Sequence, residues 1–326
     1  MNRFVRSPFV APLVALLLVV LVTAAVTPRF LDMGNLSNLT LQVAIVAIVA
    51  IGSTVVILSG GIDLSPGSAI ALLTVLLATM VKFMGIPLPV AIVLTVLMGA
   101  GLGAINGVLN AYLRIPSFIA TLAALSAFRG VAFMFNDGSP VFAVDPFLEP
   151  IFYGSLLGLP LPLYYLVVLY ALAWAGMRYT QLGRSIYAVG GNTNAALLSG
   201  LKVRRIQLLV FVIAGLMAGI GAVLMTARLN SGSPNYGVGL ELSAIAAAVI
   251  GGASLSGGRG NIINTAIGAL TIVVVQNGLN LNAVPASAQN VVIGVIIVVA
   301  VAIDMWRNEI GRTLSSLFHP QADRKD

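Results

Sequence analysis

The residues best placed to do chemistry in this chain stand in two short polar breaks. Residues 60–67 read GGIDLSPG and residues 251–258 read GGASLSGG, with the two leading glycines, the Leu-Ser pair and the final Gly in common. Each copy follows a run of small apolar residues. In the first copy Gly60 and Gly61 can end a helix, Ser65 can cap the next one, and Pro66 with Gly67 suits its first turn, because proline lacks the N–H left unpaired there. At a membrane boundary such a stop and start is a tight turn. Placed deeper, it is a broken helix whose free N–H groups and carbonyls can meet a solute. Asp63 has two readings. It orders the turn, near a helix start that favours negative charge, and pairs with an arginine; or it touches the cargo directly. The second copy, Gly251, Gly252, Ser256, Gly257 and Gly258, carries no acid and is followed by Arg259. The likeness hints at internal duplication, and chance agreement in a Gly- and Ser-rich chain is the plain alternative.

Other polar side chains interrupt apolar stretches: Asn106, Asn110, Thr121, Ser126, Gln276, Asn277 and Asn280. Such groups either hydrogen-bond between helices or line a pathway. As a set they favour an uncharged, hydroxyl-rich solute over an ion. Arg129 is the one cation inside an apolar stretch, toward its outer end, where it can snorkel. The chain has no cysteine, which excludes disulfides, thiolate metal sites and redox couples. It has no G-x-x-x-x-G-K-[ST] nucleotide loop. Its one histidine, His319, lies in the C-terminal tail and reads as solvated. Nothing here is arranged for covalent catalysis, so the chain reads as a transport component, not an enzyme. It binds no cofactor or metal of its own, and any energy for uphill movement comes from elsewhere.

The elements that must position these groups follow from composition. Of 326 residues 59% are apolar and only 8% charged, with a mean hydropathy of +1.04. A soluble chain carries about a quarter charged residues. From Gly260 to Ile303 there are 44 residues without Lys, Arg, Asp or Glu. A span needs about 20, so this stretch crosses a bilayer twice. The fold class is therefore an all-α polytopic membrane protein with one integral domain. Charge-free gaps and turn signals predict about ten spans, at roughly 9–27, 40–59, 66–83, 89–111, 117–135, 162–178, 206–228, 240–256, 262–281 and 286–304, with residues 305–326 as a cytoplasmic tail. The first run follows Arg3 and Arg6, lacks a cleavage site and reads as a retained span with its N-terminus inside. The ten spans then put thirteen of the seventeen Lys and Arg on the cytoplasmic side, including Arg114, Arg178, Arg184, Lys202, Arg204, Arg205, Arg259, Arg307, Arg312, Arg324 and Lys325. Arg29, Lys82 and Arg228 fall outside, as do Asp32, Asp137, Asp145, Glu149 and Glu241. The bias fits the positive-inside rule, N-in and C-in, and accounts for the formal charge of +7 without nucleic acid. Trp174 and Trp306 sit where interfacial anchors sit.

Two small-residue runs, GAGLGAING (Gly99–Gly107) and AGLMAGIGA (Ala214–Ala222), allow close helix packing. Two loops are long. The outer one, 136–162, is rich in Pro and acid. The inner one, 179–205, reads YTQLGRSIYAVGGNTNAALLSGLKVRR. Its stretch 192–201 reads as a short helix, capped by Asn192 or Thr193 and ended by Gly200. Flanked by cations, it is either an amphipath against lipid or a lever for a soluble partner.

GGIDLSPGSAIAL, LRIPSFIATLAALSAFRG (Leu113–Gly130), GRSIYAVGGNTNAALLSGLKV (Gly183–Val203) and LELSAIAAAVIGGASLSGGRG (Leu240–Gly260), followed by QNGLNL, together resemble the permease subunit of ribose-type sugar importers of the ATP-binding cassette class. Branched-chain amino-acid permeases are more distantly similar. The resemblance runs from the second span to Asp304. It implies a type II importer fold with about ten helices, dimers with a second copy or a homologous permease, and the cytoplasmic (inner) membrane of a bacterium. It implies cytoplasmic ATPase subunits, which use ATP and Mg, and a periplasmic protein that delivers a monosaccharide. It also turns residues 190–200 into a coupling helix, with Gly190, Gly191, Asn192, Asn194, Ala195, Ala196, Ser199 and Gly200 facing the ATPase. Pro66 departs from the β-branched residue common there and stiffens the turn. No residue pattern fixes the sugar.

Overall fold

In the computed structural model residues 9–318 are described. Arg3, Arg6, His319, Arg324 and Lys325 lie outside them, and so do the side chains of Trp306, Arg307 and Arg312. The chain is helical almost throughout. Its helices are α1 (Val10–Val26), α2 (Met33–Leu58), α3 (Pro66–Lys82), α4 (Leu88–Ala111), α5 (Ser117–Met134), α6 (Leu148–Tyr153), α7 (Leu161–Tyr179), α8 (Gln181–Gly191), α9 (Thr193–Leu198), α10 (Val203–Leu229), α11 (Leu240–Ile250), α12 (Ile262–Leu281) and α13 (Ala286–Phe318). Six of them, α2, α4, α5, α7, α10 and α12, are long and apolar enough to cross a membrane; α1, α3, α11 and the 286–302 part of α13 are shorter apolar helices. This is an all-α polytopic membrane protein. The only strands described are pairs of two residues: β1 (Val141–Phe142) with β4 (Ser231–Gly232), and β2 (Ser155–Leu156) with β3 (Leu159–Pro160), both antiparallel.

Helix α2 is the axis. Its residues 43–58 are all buried, among α7, α10, α11 and α12. By contrast α1, α4, α5 and α7 bury few residues and present Leu, Val and Phe outward, as a lipid-facing ring does. The two small-residue runs turn out to be partners. A Cβ on Gly103 of α4 would lie 2.1 Å from the Phe211 carbonyl oxygen of α10, and one on Gly215 of α10 would lie 2.2 Å from that of Gly99. The backbones meet because neither face carries a side chain there.

The helices depart from the sequence reading in several places, and α2 starts at Met33, not 40. Helix α11 stops at Ile250, not 256, because Gly251 turns against the backbone of Asn264 and Thr265, where a Cβ would be 2.7 Å from an oxygen. Eleven residues make a helix of about 16 Å, half a bilayer core. Helix α13 continues through residues 305–318, which were expected as tail. The inner loop holds a second helix, α8, whose Gly183, Ser185, Ile186 and Val189 are buried. The outer loop folds too. Leu148 and Phe152 of α6 are fully buried, and the Tyr153 hydroxyl donates to the Arg228 carbonyl at 3.1 Å.

Candidate functional site: the broken helix and the basic end

At Gly60 helix α2 ends in a Schellman turn: the Gly60 N–H donates to the Ile57 carbonyl at 2.9 Å and the Gly61 N–H to that of Val56 at 3.0 Å. Gly60 has φ +85°, open to glycine without strain. Residues 61–65 then run without helix, and α3 starts at Pro66. The extended segment is held along α5. The Ile62 N–H donates to Ser117 Oγ at 3.0 Å and the Leu64 N–H to Thr121 Oγ1 at 3.1 Å. Ser117 and Thr121 stand one turn apart, so the segment climbs α5 from its N-terminal end.

Asp63 is buried, and its Oδ1 accepts both the N–H of Ser65 at 2.9 Å and its hydroxyl at 2.7 Å. Ser65 caps nothing: its backbone is helical (φ −88°, ψ −15°) and its hydroxyl also receives Asn106 Nδ2 at 2.8 Å. The expected cap and the expected Asp63–arginine pair both give way to one local network, because the carboxylate folds onto the next residue but one. Pro66 does stand in the first turn. Asn110 Nδ2 donates to the Ile115 carbonyl at 3.0 Å. Asp63, Asn106 and Thr121 are thus brought together around the first break, while Asn110 ties the end of α4 to the turn before α5.

The remaining polar candidates are not part of that cluster. Arg129 does not snorkel; its Nη1 donates to the carbonyls of Pro234 at 2.6 Å and Tyr236 at 2.7 Å, in the segment that leads into α11. That segment enters the bundle along α3. Ser233 meets Thr74 at 3.4 Å, and a Cβ on Gly237 would lie 2.4 Å from the Gly67 carbonyl oxygen. Glu241, assigned by charge to the outer side of the membrane, is half-buried in the bundle against the first turn of α3. Sequence reading missed it because an acid after a Gly-Val-Gly run looks like a loop residue. Gln276 Nε2 donates to Ser243 Oγ at 3.2 Å, and Asn277 exchanges amide hydrogen bonds with Asn35 of α2 at 2.8 and 2.9 Å. Asn280 is exposed and accepts from Gln289. Ser126 is exposed. Asn277 and Asn280 act as glue between elements, not as lining of the break.

The second break has its own geometry. Residues 251–261 form a closed turn: Ser254 N–H donates to the Arg259 carbonyl at 2.9 Å and Gly257 N–H to that of Ser254 at 2.9 Å, while the Ser254 and Ser256 hydroxyls meet at 3.0 Å. The two breaks touch. Gly258 N–H donates to the Leu58 carbonyl at 3.0 Å, and a Cβ on Gly257 would lie 2.9 Å from Gly60 Cα and 2.7 Å from the Gly190 oxygen. A Cβ on Gly190 would lie 1.9 Å from the Leu58 oxygen. Gly60, Gly190 and Gly257 therefore form one backbone junction between α2, α8 and the α11–α12 turn. The Tyr187 hydroxyl of α8 donates to the Gly260 carbonyl at 3.0 Å, and burial pushes its phenol pKa up.

Beyond α8 the chain is exposed. Asn192 caps α9, its Oδ1 accepting the Ala195 N–H at 2.9 Å, and Gly200 (φ +81°) follows its end. Of 191–200 only Ala196 is buried; Asn194, Ala195 and Ser199 face out, and Leu197 and Leu198 are 62% and 89% exposed. Arg178, Arg184, Lys202, Arg204 and Arg205 flank this stretch in sequence, all exposed.

The described residues form an all-helical membrane bundle with a broken axial helix and an exposed, basic end at α9. The comparisons place it. The family model described as branched-chain amino acid transport system / permease component matches residues 35–301, and the chain belongs to that family. It is 41% identical to the ribose import permease protein RbsC of Escherichia coli K12 over 90% of this chain and 92% of that one. It is 41% identical to its namesake in Bacillus subtilis strain 168 over 90% and 91%, and 37% identical to the D-allose transport system permease protein AlsC of Escherichia coli K12 over 89% of each. No solved structure matches it significantly.

Proposed function

We propose that the chain is the membrane permease subunit of an ATP-binding cassette importer that moves a ribose-like monosaccharide. The observation that carries this reading is similarity over nine-tenths of the chain to permeases named for ribose, with an allose permease beside them. In this reading the chain crosses the bacterial inner membrane about ten times, with both ends in the cytosol, and two permeases pair. A periplasmic binding protein delivers the sugar on the outer face. The α8–α9 end meets the ATPase subunits, which bind ATP and Mg and supply the work; the permease contributes no covalent step. Exposed Leu197 and Leu198, flanked in sequence by five exposed cations, support that docking. The glycine junction ties α8 to α2 and to the second break, so a push on α9 reaches the polar segment 61–65 through backbone contacts.

Co-expression of the permease with its neighbouring ATPase and binding protein, followed by uptake of labelled ribose in proteoliposomes, tests the reading. ATP-dependent accumulation is expected. Uptake without any ATPase points instead to a secondary transporter. Replacing Leu197 and Leu198 by Asp should lower recovery of the ATPase with the permease at least about tenfold; unchanged recovery removes α9 as the docking element.

A second reading, import of an amino acid, draws on the family description and on Arg129 and Glu241, which interact electrostatically inside the bundle. A zwitterion calls for paired charges of this kind. Competition of ribose uptake by leucine, or its absence, separates the two.

A further inference from the structure

The outer loop divides by charge. Asp137, Asp145 and Glu149 stand in its first half, while from Pro150 to Met177 there is no Lys, Arg, Asp or Glu. This gap of 28 residues begins well before α7 does, and it takes in the β2–β3 hairpin. The base of the hairpin is closed: the Leu161 N–H donates to the Gly154 carbonyl at 2.9 Å, and a Cβ on Gly154 would lie 2.3 Å from the Pro150 oxygen. Its tip is Leu157 and Gly158, with φ +51° and +78°, the signs of a type I′ turn. Such a turn prefers Asn or Asp before the glycine. Here it holds a leucine that is 91% exposed, with Leu156 and Leu159 exposed beside it. The Tyr164 hydroxyl donates to the Leu156 carbonyl at 2.8 Å. Tyr164 shares a face of α7 with Val167, Val168, Ala171 and Leu172, which are exposed as lipid-facing residues are. The hairpin therefore stands at the outer end of that stripe.

We propose that Leu156, Leu157 and Leu159 at the end of this hairpin insert into the outer leaflet, at the boundary of headgroups and acyl chains, and anchor the outer loop to the bilayer. The choice of leaflet rests on the ten-span reading; the contact with lipid does not. The apolar surface of the hairpin continues the lipid face of α7, and Tyr164 joins the two with an apolar ring and a bonded hydroxyl, as aromatic residues at membrane interfaces do. The charge-free sequence favours lipid over a soluble protein, whose docking surface carries a polar rim. A leucine held where the turn prefers Asn is accounted for when its side chain gains from lipid what the backbone gives up. The anchor also reaches the bundle. Phe152 of α6, next to the hairpin, is fully buried, and Tyr153 bonds the Arg228 carbonyl at the end of α10, so the hairpin holds that end at a fixed height in the bilayer.

The test uses the full chain in vesicles of phosphatidylethanolamine and phosphatidylglycerol. The sequence has no cysteine, so Leu157→Cys, Leu159→Cys and Ser139→Cys can each carry a single bimane label. Quenching by a nitroxide placed high on the lipid acyl chain is compared with quenching by aqueous iodide. The labels at 157 and 159 should be quenched more by the lipid nitroxide, with blue-shifted emission. The label at 139, exposed in the acidic half of the loop, should be quenched more by iodide. Leu157→Asn in the Leu159→Cys chain suits the turn and removes the lipid contact, so lipid quenching at 159 should fall while the hairpin is kept. The same quenching order at 157 and 159 as at 139 overturns the anchor. Iodide quenching at 157 that is relieved by the ribose-loaded binding protein overturns it too, in favour of a protein occupant. An impermeant thiol reagent on Ser139→Cys separates the two readings. Reaction only in inverted vesicles brings down the ten-span arrangement and the outer-leaflet assignment with it. Reaction only from outside, with iodide the stronger quencher at 157, strikes the anchor alone.

Discussion

At Asp63 a carboxylate does for an extended segment what a cap does for a helix. It gathers the N–H and the hydroxyl of Ser65 on one oxygen, and Asn106 closes the group from α4. The acceptor matters here more than the charge. Asp63→Ala should therefore cost about 1–3 kcal/mol, since it leaves a buried N–H unpaired, while Asp63→Asn, which keeps an oxygen, should cost less. Thermal unfolding in detergent measures both; equal losses would move the weight to the charge. Gly190 makes a second, steric prediction. Gly190→Ala pushes a methyl against the Leu58 carbonyl and should cost about 1–3 kcal/mol and weaken coupling of ATP hydrolysis to transport. Its neighbour Gly191 has nothing within 4 Å of a new Cβ, so Gly191→Ala is the matched control for stability. Both variants behaving alike would deny the junction.

Between helices α4 and α10 the same logic covers a whole face. Gly103→Ala or Gly215→Ala should separate the pair and destabilise the protein by about 1–3 kcal/mol each, seen as a lower melting temperature, whereas Gly101→Ala, in open space, should not. Circular dichroism melts of the three variants decide it. Both runs were legible as packing surfaces from their small residues; that they were each other's partner was not, since spacing states what a face can do and not what it meets. The helices themselves were readable from charge-free gaps, Pro and Gly, and Asn192 and Gly200 marked the ends of α9 correctly. Helix α8 escaped because its mix of Arg, Ser and Tyr gives no apolar run; its buried side is set by α7, α10 and α2. The matching letters of the two breaks hid different shapes, one extended beside α5 and one closed on itself. Three-dimensional partners made that difference: Thr121 and Ser117 wait for the first backbone, whereas the second bonds its own residues. The same holds for Glu241. Its depth depends on a lead-in that follows α3 inward, a path that no local pattern encodes.

Taken whole, the molecule is a set of lipid-facing helices around α2, with Asp63, Arg129 and Glu241 as charged groups drawn into the bundle. Because the chain has no cysteine, single cysteines report sidedness without a background. Asn192→Cys should react with a membrane-impermeant thiol reagent only in inverted vesicles, and Tyr153→Cys only in right-side-out cells. Labelling of both from one side would overturn the ten-span, N-in arrangement. The burial of α2 carries a consequence for how the protein is made. Thr54 finds its partner Thr265, at 2.8 Å, only after 211 further residues have left the ribosome. Until then the helix must rest in lipid as a span of its own. Its greasiness answers to the insertion machinery at birth, and only later to the neighbours that will enclose it.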